Sequence, residues 1–169
     1  MAVEITKEKY PAFDAETGTS GKRRVIYINY GEGATEEEPK WILLGGVTDQ
    51  TVTWGAAVST SATKDTGYWQ SGVVTGKTFA FNTSVMLKKD NEGQAVIDHF
   101  MADDEITASK KALQFAFVDL DTLEYTVVKA IPTQWQERAA ANAMITKELQ
   151  ATGVGQPEVK SKFVIPGTV

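Results

Sequence analysis

There is no cysteine among the 169 residues. That removes disulfide cross-links, thiolate metal sites and a cysteine nucleophile. Histidine occurs once, at His99. A lone imidazole, with no serine, cysteine or second ligand beside it, is a poor start for catalysis or metal binding. No apolar run approaches the roughly 20 residues that a membrane-spanning helix needs. The opening MAVEITKEKY has no basic stretch followed by an apolar one, so neither a secretory signal nor membrane attachment is expected. Positive charge is also in deficit: 17 Lys and Arg against 22 Asp and Glu leave a net −5. A chain that grips nucleic acid by its phosphates carries the opposite bias. An acidic surface would instead let DNA slide past, although it also serves plain solubility. What is present, 42% hydrophobic and 23% charged residues, is ordinary for a globular domain with a real core.

The chain is organised around residues 77–105. Phe79, Phe81, Val85 and Leu87 alternate with Thr78, Ala80, Asn82 and Ser84, which reads as a half-buried strand. The period then changes. Val96, Ile97, Phe100 and Met101 form one stripe of a short helix, expected over 92–103, with Asn91 as N-cap and Gln94 three residues on.

Elsewhere the patterns are mostly strand. VIYINY at 25–30 is β-branched and aromatic, and WILLGG at 41–46 reads as a strand buried on both faces. QTVTWGAAVST and YWQSGVV read as two strands of an extended hairpin, its mobile tip at about 59–67. ALQFAFVDL and LEYTVVKAI form a strand pair that Pro132 is expected to end. Residues 137–150 carry both helical and alternating signals and read as loop then strand. GVGQPEVK reads as a break. The expected fold class is mainly β, with two packed antiparallel sheets and one flanking helix.

Chemical motifs are weak. GVVTGKT at 72–78 is one residue short of a phosphate-binding loop and is followed by a strand pattern, so Thr75-Gly76 reads as a turn. Asp103, Asp104 and Glu105 read as an acidic helix end, where the dipole disfavours anions. Trp54 and Trp69 sit on neighbouring expected strands, so a sugar-stacking platform is one alternative. A small hydrolase is another, without a nucleophile–base motif to support it. No catalytic, cofactor or metal residue is assigned.

The order of WILLGGVTDQTVTWG, a Ser/Thr/Asp/Lys-rich stretch ending in GYWQSG, GKTFAFNTSV, DNEGQAVIDHFM and ITKELQATGVGQPEVK resembles the major tail protein, or tail-tube, family of long-tailed phages, over residues 24–160. The resemblance implies a β-sandwich at 23–152, preceded by an arm at 1–22 and followed at 153–169 by a second arm or a last strand. It implies hexameric rings, joined strand edge to strand edge and stacked into a tube through which DNA passes without specific binding. Its implied ring-stacking loop is Ser59, Thr60, Ser61, Ala62, Thr63, Lys64, Asp65, Thr66 and Gly67. Its implied subunit contact on the helix is Val96, Ile97, Phe100 and Met101. Partners would be further copies, then tape-measure, tail-terminator and baseplate proteins; the location would be the virion tail, after assembly in the host cytoplasm. Another tube or baseplate component on the same fold fits the same pattern.

Overall fold

The alternation at 79–86 is realised as a strand with one dry face. In the computed structural model, which describes residues 23–62, 64, 67 and 69–167, Phe79, Phe81, Thr83 and Val85 are buried and the residues between them are half-buried. The elements are β1 Arg24–Asn29, β2 Trp41–Leu43, β3 Val47–Ser61, β4 Ser71–Met86, helices α1 Glu92–Ala102 and α2 Asp104–Lys110, then β5 Leu113–Asp119, β6 Tyr125–Arg138 and β7 Thr146–Lys160. The strands form a single sheet in the order β2-β1-β5-β6-β7-β4-β3, every neighbouring pair antiparallel.

That sheet is rolled. β4 and β5 lie three steps apart in it, about 14 Å if it were flat at ~4.8 Å per step. Yet the Phe81 ring centroid is 5.0 Å from Phe115 and 4.9 Å from Phe117, both edge-on. The two packed layers expected from sequence are therefore the two halves of one continuous sheet. Ile26, Ile28, Phe115, Val128, Leu149 and Phe81 fill the space between them.

α1 lies against this core. Asn91 caps it as expected, its side chain accepting from Gln94 N at 2.9 Å. The Gln94 side chain does not reach back to the cap. It is buried, donating from Nε2 to the carbonyls of Gly45 and Met86 at 2.8 Å each and accepting from Lys88 N at 3.1 Å. One amide thus ties the β2–β3 turn and the end of β4 to the helix.

Several expectations need correcting. Among the described residues there are two helices, not one: Asp103 accepts from the backbone N–H groups of Glu105 and Ile106 and starts α2. Asp104 and Glu105 thus stand at a helix start, where the dipole favours them. β2 is a short edge strand with Leu43 exposed, not a strand buried on both faces. Pro132 does not end β6, because a register shift beside it absorbs the missing N–H. GVGQPEVK is part of β7, with Gly155 at φ +78 where the register skips. Thr75-Gly76 is a bulge inside β4 rather than a turn. After the β7 strand, Phe163 tucks against Tyr27, Trp41 and Tyr125 on the sheet's second face.

Candidate assembly surface

β3 and β4 outrun the core. β7 pairs with β4 from Met86 back to Ala80 and no further. At that point Gly153 lies so close to Phe79 that an added Cβ would sit 2.8 Å from its carbonyl oxygen. Beyond it β3 and β4 continue as a two-stranded ribbon, paired from Gly55–Thr78 to Ser61–Ser71. Every described residue from 56 to 78 is exposed. Val58, Val73 and Val74 are among them, 54–68% accessible. A two-stranded hairpin with neither face covered is marginal in water by itself, and among the described residues its exposed valines meet no further element.

The strand edges point the same way. β3 is the sheet margin over all 15 residues, paired on one side only. It contains no proline, and Asp49 is its only charged side chain. Gln50 Oε1 is buried there without a hydrogen-bond partner among the described residues. A second open stretch is on β6. From Ile131 to Arg138 it pairs with β7 but has no β5 neighbour, because β5 pairing stops at Ala130. β4 from Ser71 to Phe79 is also open on the side opposite β3, whereas two further margins are guarded. β2 spans 3 residues, and the outer half of β7 carries Pro157 and the Gly155 irregularity, both of which spoil pairing.

The sequence-predicted loop residues fall at the ribbon's end. Ser59, Thr60 and Ser61 are the last residues of β3, and Ala62, Lys64 and Gly67 follow, all exposed. Thr63, Asp65 and Thr66, like the arm at 1–22, lie outside the described residues. The helix positions divide. Val96, Ile97 and Phe100 are buried in the chain's own core, and only Met101, 39% accessible, remains on the surface. The apolar stripe read as a contact with a neighbour is the face that the chain itself needs. Trp54 stands edge-on to Phe79, ring centroids 4.8 Å apart. It is seven strand residues, about 23 Å at ~3.3 Å each, from the strand end beyond which Trp69 lies. The two indoles do not share a platform. Sequence reading missed the open edge on β6, which only the β5 register reveals.

Below the ribbon, α1 is held to β6 and β7 by Asp98. It accepts from Trp135 Nε1 and from Lys147 Nζ at 2.8 Å, and Lys147 is 8% accessible. Glu137 stands 3.7 Å from the same ammonium. Burial pushes the Asp98 carboxyl up, but those two hydrogen bonds and the charges of Lys147 and His99 outweigh it and hold the carboxyl below its ordinary value. A depressed folded-state value gives stability that is fully present above the unfolded carboxyl value and is lost as pH falls through the folded one. Asp98→Asn is expected to lower the melting temperature at pH 7 and to narrow its difference from wild type at about pH 3. Parallel melting curves at every pH would refute the ion pair's role.

A hollow of about 830 Å³ opens between α1, α2 and the end of β1, lined by Tyr30, His99, Phe100, Ile106 and Gln114 among others. The ion pair on its rim, Lys129 Nζ to Glu36 Oε1 at 3.0 Å, is solvent-exposed. No group of three His, Cys, Asp or Glu residues among those described could hold a metal. No described helix is long and apolar enough to cross a membrane.

No family model and no curated protein matches the chain. Solved structures do. The chain aligns with a subunit from the tail of an empty gene transfer agent particle of C6 symmetry at TM-score 0.68 and 11% identity, over 85% of this chain and all of that one. With the SPP1 tail tube the TM-score is 0.67 at 10% identity, over 87% and 81%. With a chain of the six-fold symmetrised anti-feeding prophage baseplate it is 0.56 at 9%, over 87% and 98%. At such identities the likeness establishes the fold: a rolled β-sheet with flanking helices, of the tail-tube kind.

Proposed function

We propose that this chain is a structural, self-assembling subunit of a phage-type tail tube. The observation that carries the reading is the unfinished sheet: a 15-residue bare margin on β3, continuous with a ribbon exposed on both faces. In a ring, the β3 margin of one copy pairs with the open Ile131–Arg138 margin of the next, so the sheets close into a barrel without free edges. Six copies per ring is the count supported by the C6 and six-fold symmetries of the similar particles. The ribbon reaches the adjoining ring, where its valines and the tip at Ser59–Gly67 find cover. DNA passes along the bore without specific binding. Tape-measure, terminator and baseplate proteins are the partners at the tube's interior and ends. The site of action is the virion tail, after assembly in the host cytoplasm.

The test is direct. Purified protein at increasing concentration is expected to convert from subunits into rings and tubes, followed by analytical ultracentrifugation and negative-stain microscopy. A subunit that stays monomeric at all concentrations and salts overturns the proposal.

A further inference from the structure

The four long strands have a second face, turned away from the core, that no other described element covers. Cross-strand partners share a face, so the register defines its rows. One row is Gln134, Gln150, Asn82 and Thr51; the next is Ile131, Thr152, Ala80 and Thr53. Neither contains a charged group. Charge enters towards the α1 end, with Asp49, Glu148 and Arg138, and again at the opposite end, with Lys129, Glu158 and Lys160; there Lys129 pairs with Glu36 and Lys160 with Glu158. The amides of the first row already donate to neighbouring side chains. Asn82 Nδ2 donates to Glu148 Oε1 at 3.0 Å, Gln150 Nε2 donates to the same oxygen at 3.4 Å, and Gln134 Nε2 donates to Gln136 Oε1 at 2.9 Å.

Resting on the tube reading above, we infer that this face is the wall of the bore, and that it lets a polyanionic duplex pass because its middle rows are uncharged and hydrogen-bonded and the cations at its two ends stand near carboxylates. The chain's net charge is −5, but this face does not carry that acidic surplus, which sits elsewhere on the molecule. Phosphate binding draws its strength from cationic side chains that displace counterions. This face offers three, each near a carboxylate: Arg138 one row from Glu148, Lys129 paired with Glu36 and Lys160 paired with Glu158. Amides that already donate to a neighbouring side chain have fewer hydrogens to turn towards a passing phosphate.

The test uses assembled tubes of the full chain. Thr152 and Gln134 are exposed and lie on different strands of the face, and Ser109 is exposed on α2. Thr152→Lys and Gln134→Lys subunits, alone or doped into wild-type tubes if either assembles poorly, are sedimented with a fluorescent DNA duplex. Wild-type and Ser109→Lys tubes are expected to retain little duplex at any salt. The two wall variants should retain roughly tenfold more at low salt and release it at high salt. Orientation is read separately with Thr152→Cys, which has no background in a cysteine-free chain. Its thiol should react with a small maleimide in subunit and tube, but with a protein-linked maleimide only in the subunit. If the protein-linked reagent labels tubes as readily as subunits, the face is not the bore wall. If the thiol is protected but the lysine variants bind no more duplex than Ser109→Lys, or wild-type tubes already retain it, the inference falls and the tube reading stands. If no tube forms at all, the tube reading fails first and takes the wall with it.

Discussion

Replacing residues 57–76 with an Asn-Gly turn is expected to abolish tube growth while leaving the subunit folded. The cut keeps the Ala56–Lys77 pair and closes it with a two-residue turn whose twist suits antiparallel strands. Every described residue removed is exposed, so almost no core is lost. The unfolding free energy should move by less than about 1 kcal/mol, the scale of surface changes away from special features. Assembly should move from tubes to, at most, single rings, because the removed segment includes Val58, Val73 and Val74 and the whole tip. Urea unfolding and negative-stain microscopy on the same preparation separate the two effects. Tubes of normal length would mean that stacking lies elsewhere. A large drop in stability would mean that the ribbon folds back on its own subunit.

The second large effect is on the fold itself. Phe81→Ala should destabilise the subunit by about 3–5 kcal/mol, the usual cost of emptying a phenylalanine site in a core. A domain of this kind has only about 5–15 kcal/mol to lose. Phe81 is 3% accessible and touches both Phe115 and Phe117 across the roll. No backbone hydrogen bond joins β4 to β5, so side chains alone hold the two halves of the sheet together at this point. The urea midpoint should fall. A loss under about 1 kcal/mol would show that the site collapses easily and that the halves are held elsewhere. Phe81→Leu, which keeps most of the volume, should cost much less.

What could be read beforehand follows from period and burial. The strand at 79–87 was legible because its phenylalanines alternate with small polar residues. The α1 stripe was legible because Val96, Ile97 and Phe100 recur at helical spacing. The cap at Asn91 was legible by type and position. Whether the stripe faced the chain's own core or a neighbour was not, since an apolar face looks the same for either partner. Asp103 was misplaced because an acidic run at the end of one helix has the same composition as the start of another. Pro132 and Gly155 looked like stops because, without the neighbouring register, nothing shows that a bulge can absorb them. The hairpin's existence was legible, but its independence was not. Val58 and Val73 have the pattern of core residues, and only the departure of β7 at Gly153 leaves them bare. Single-sheet topology was hidden for a related reason. Strand order is set by contacts between residues far apart in the chain, and local periodicity carries none of that information.

The unequal guarding of the margins has a consequence for the life of a newly made copy. Its β3 side is an invitation to any extended peptide of similar pattern, including the same segment of a sister molecule met in the wrong alignment. On the tube reading, such a copy is perishable until it reaches a growing end. Supply must therefore keep step with elongation, since an excess of waiting copies would be drawn into disordered precipitate rather than held in reserve.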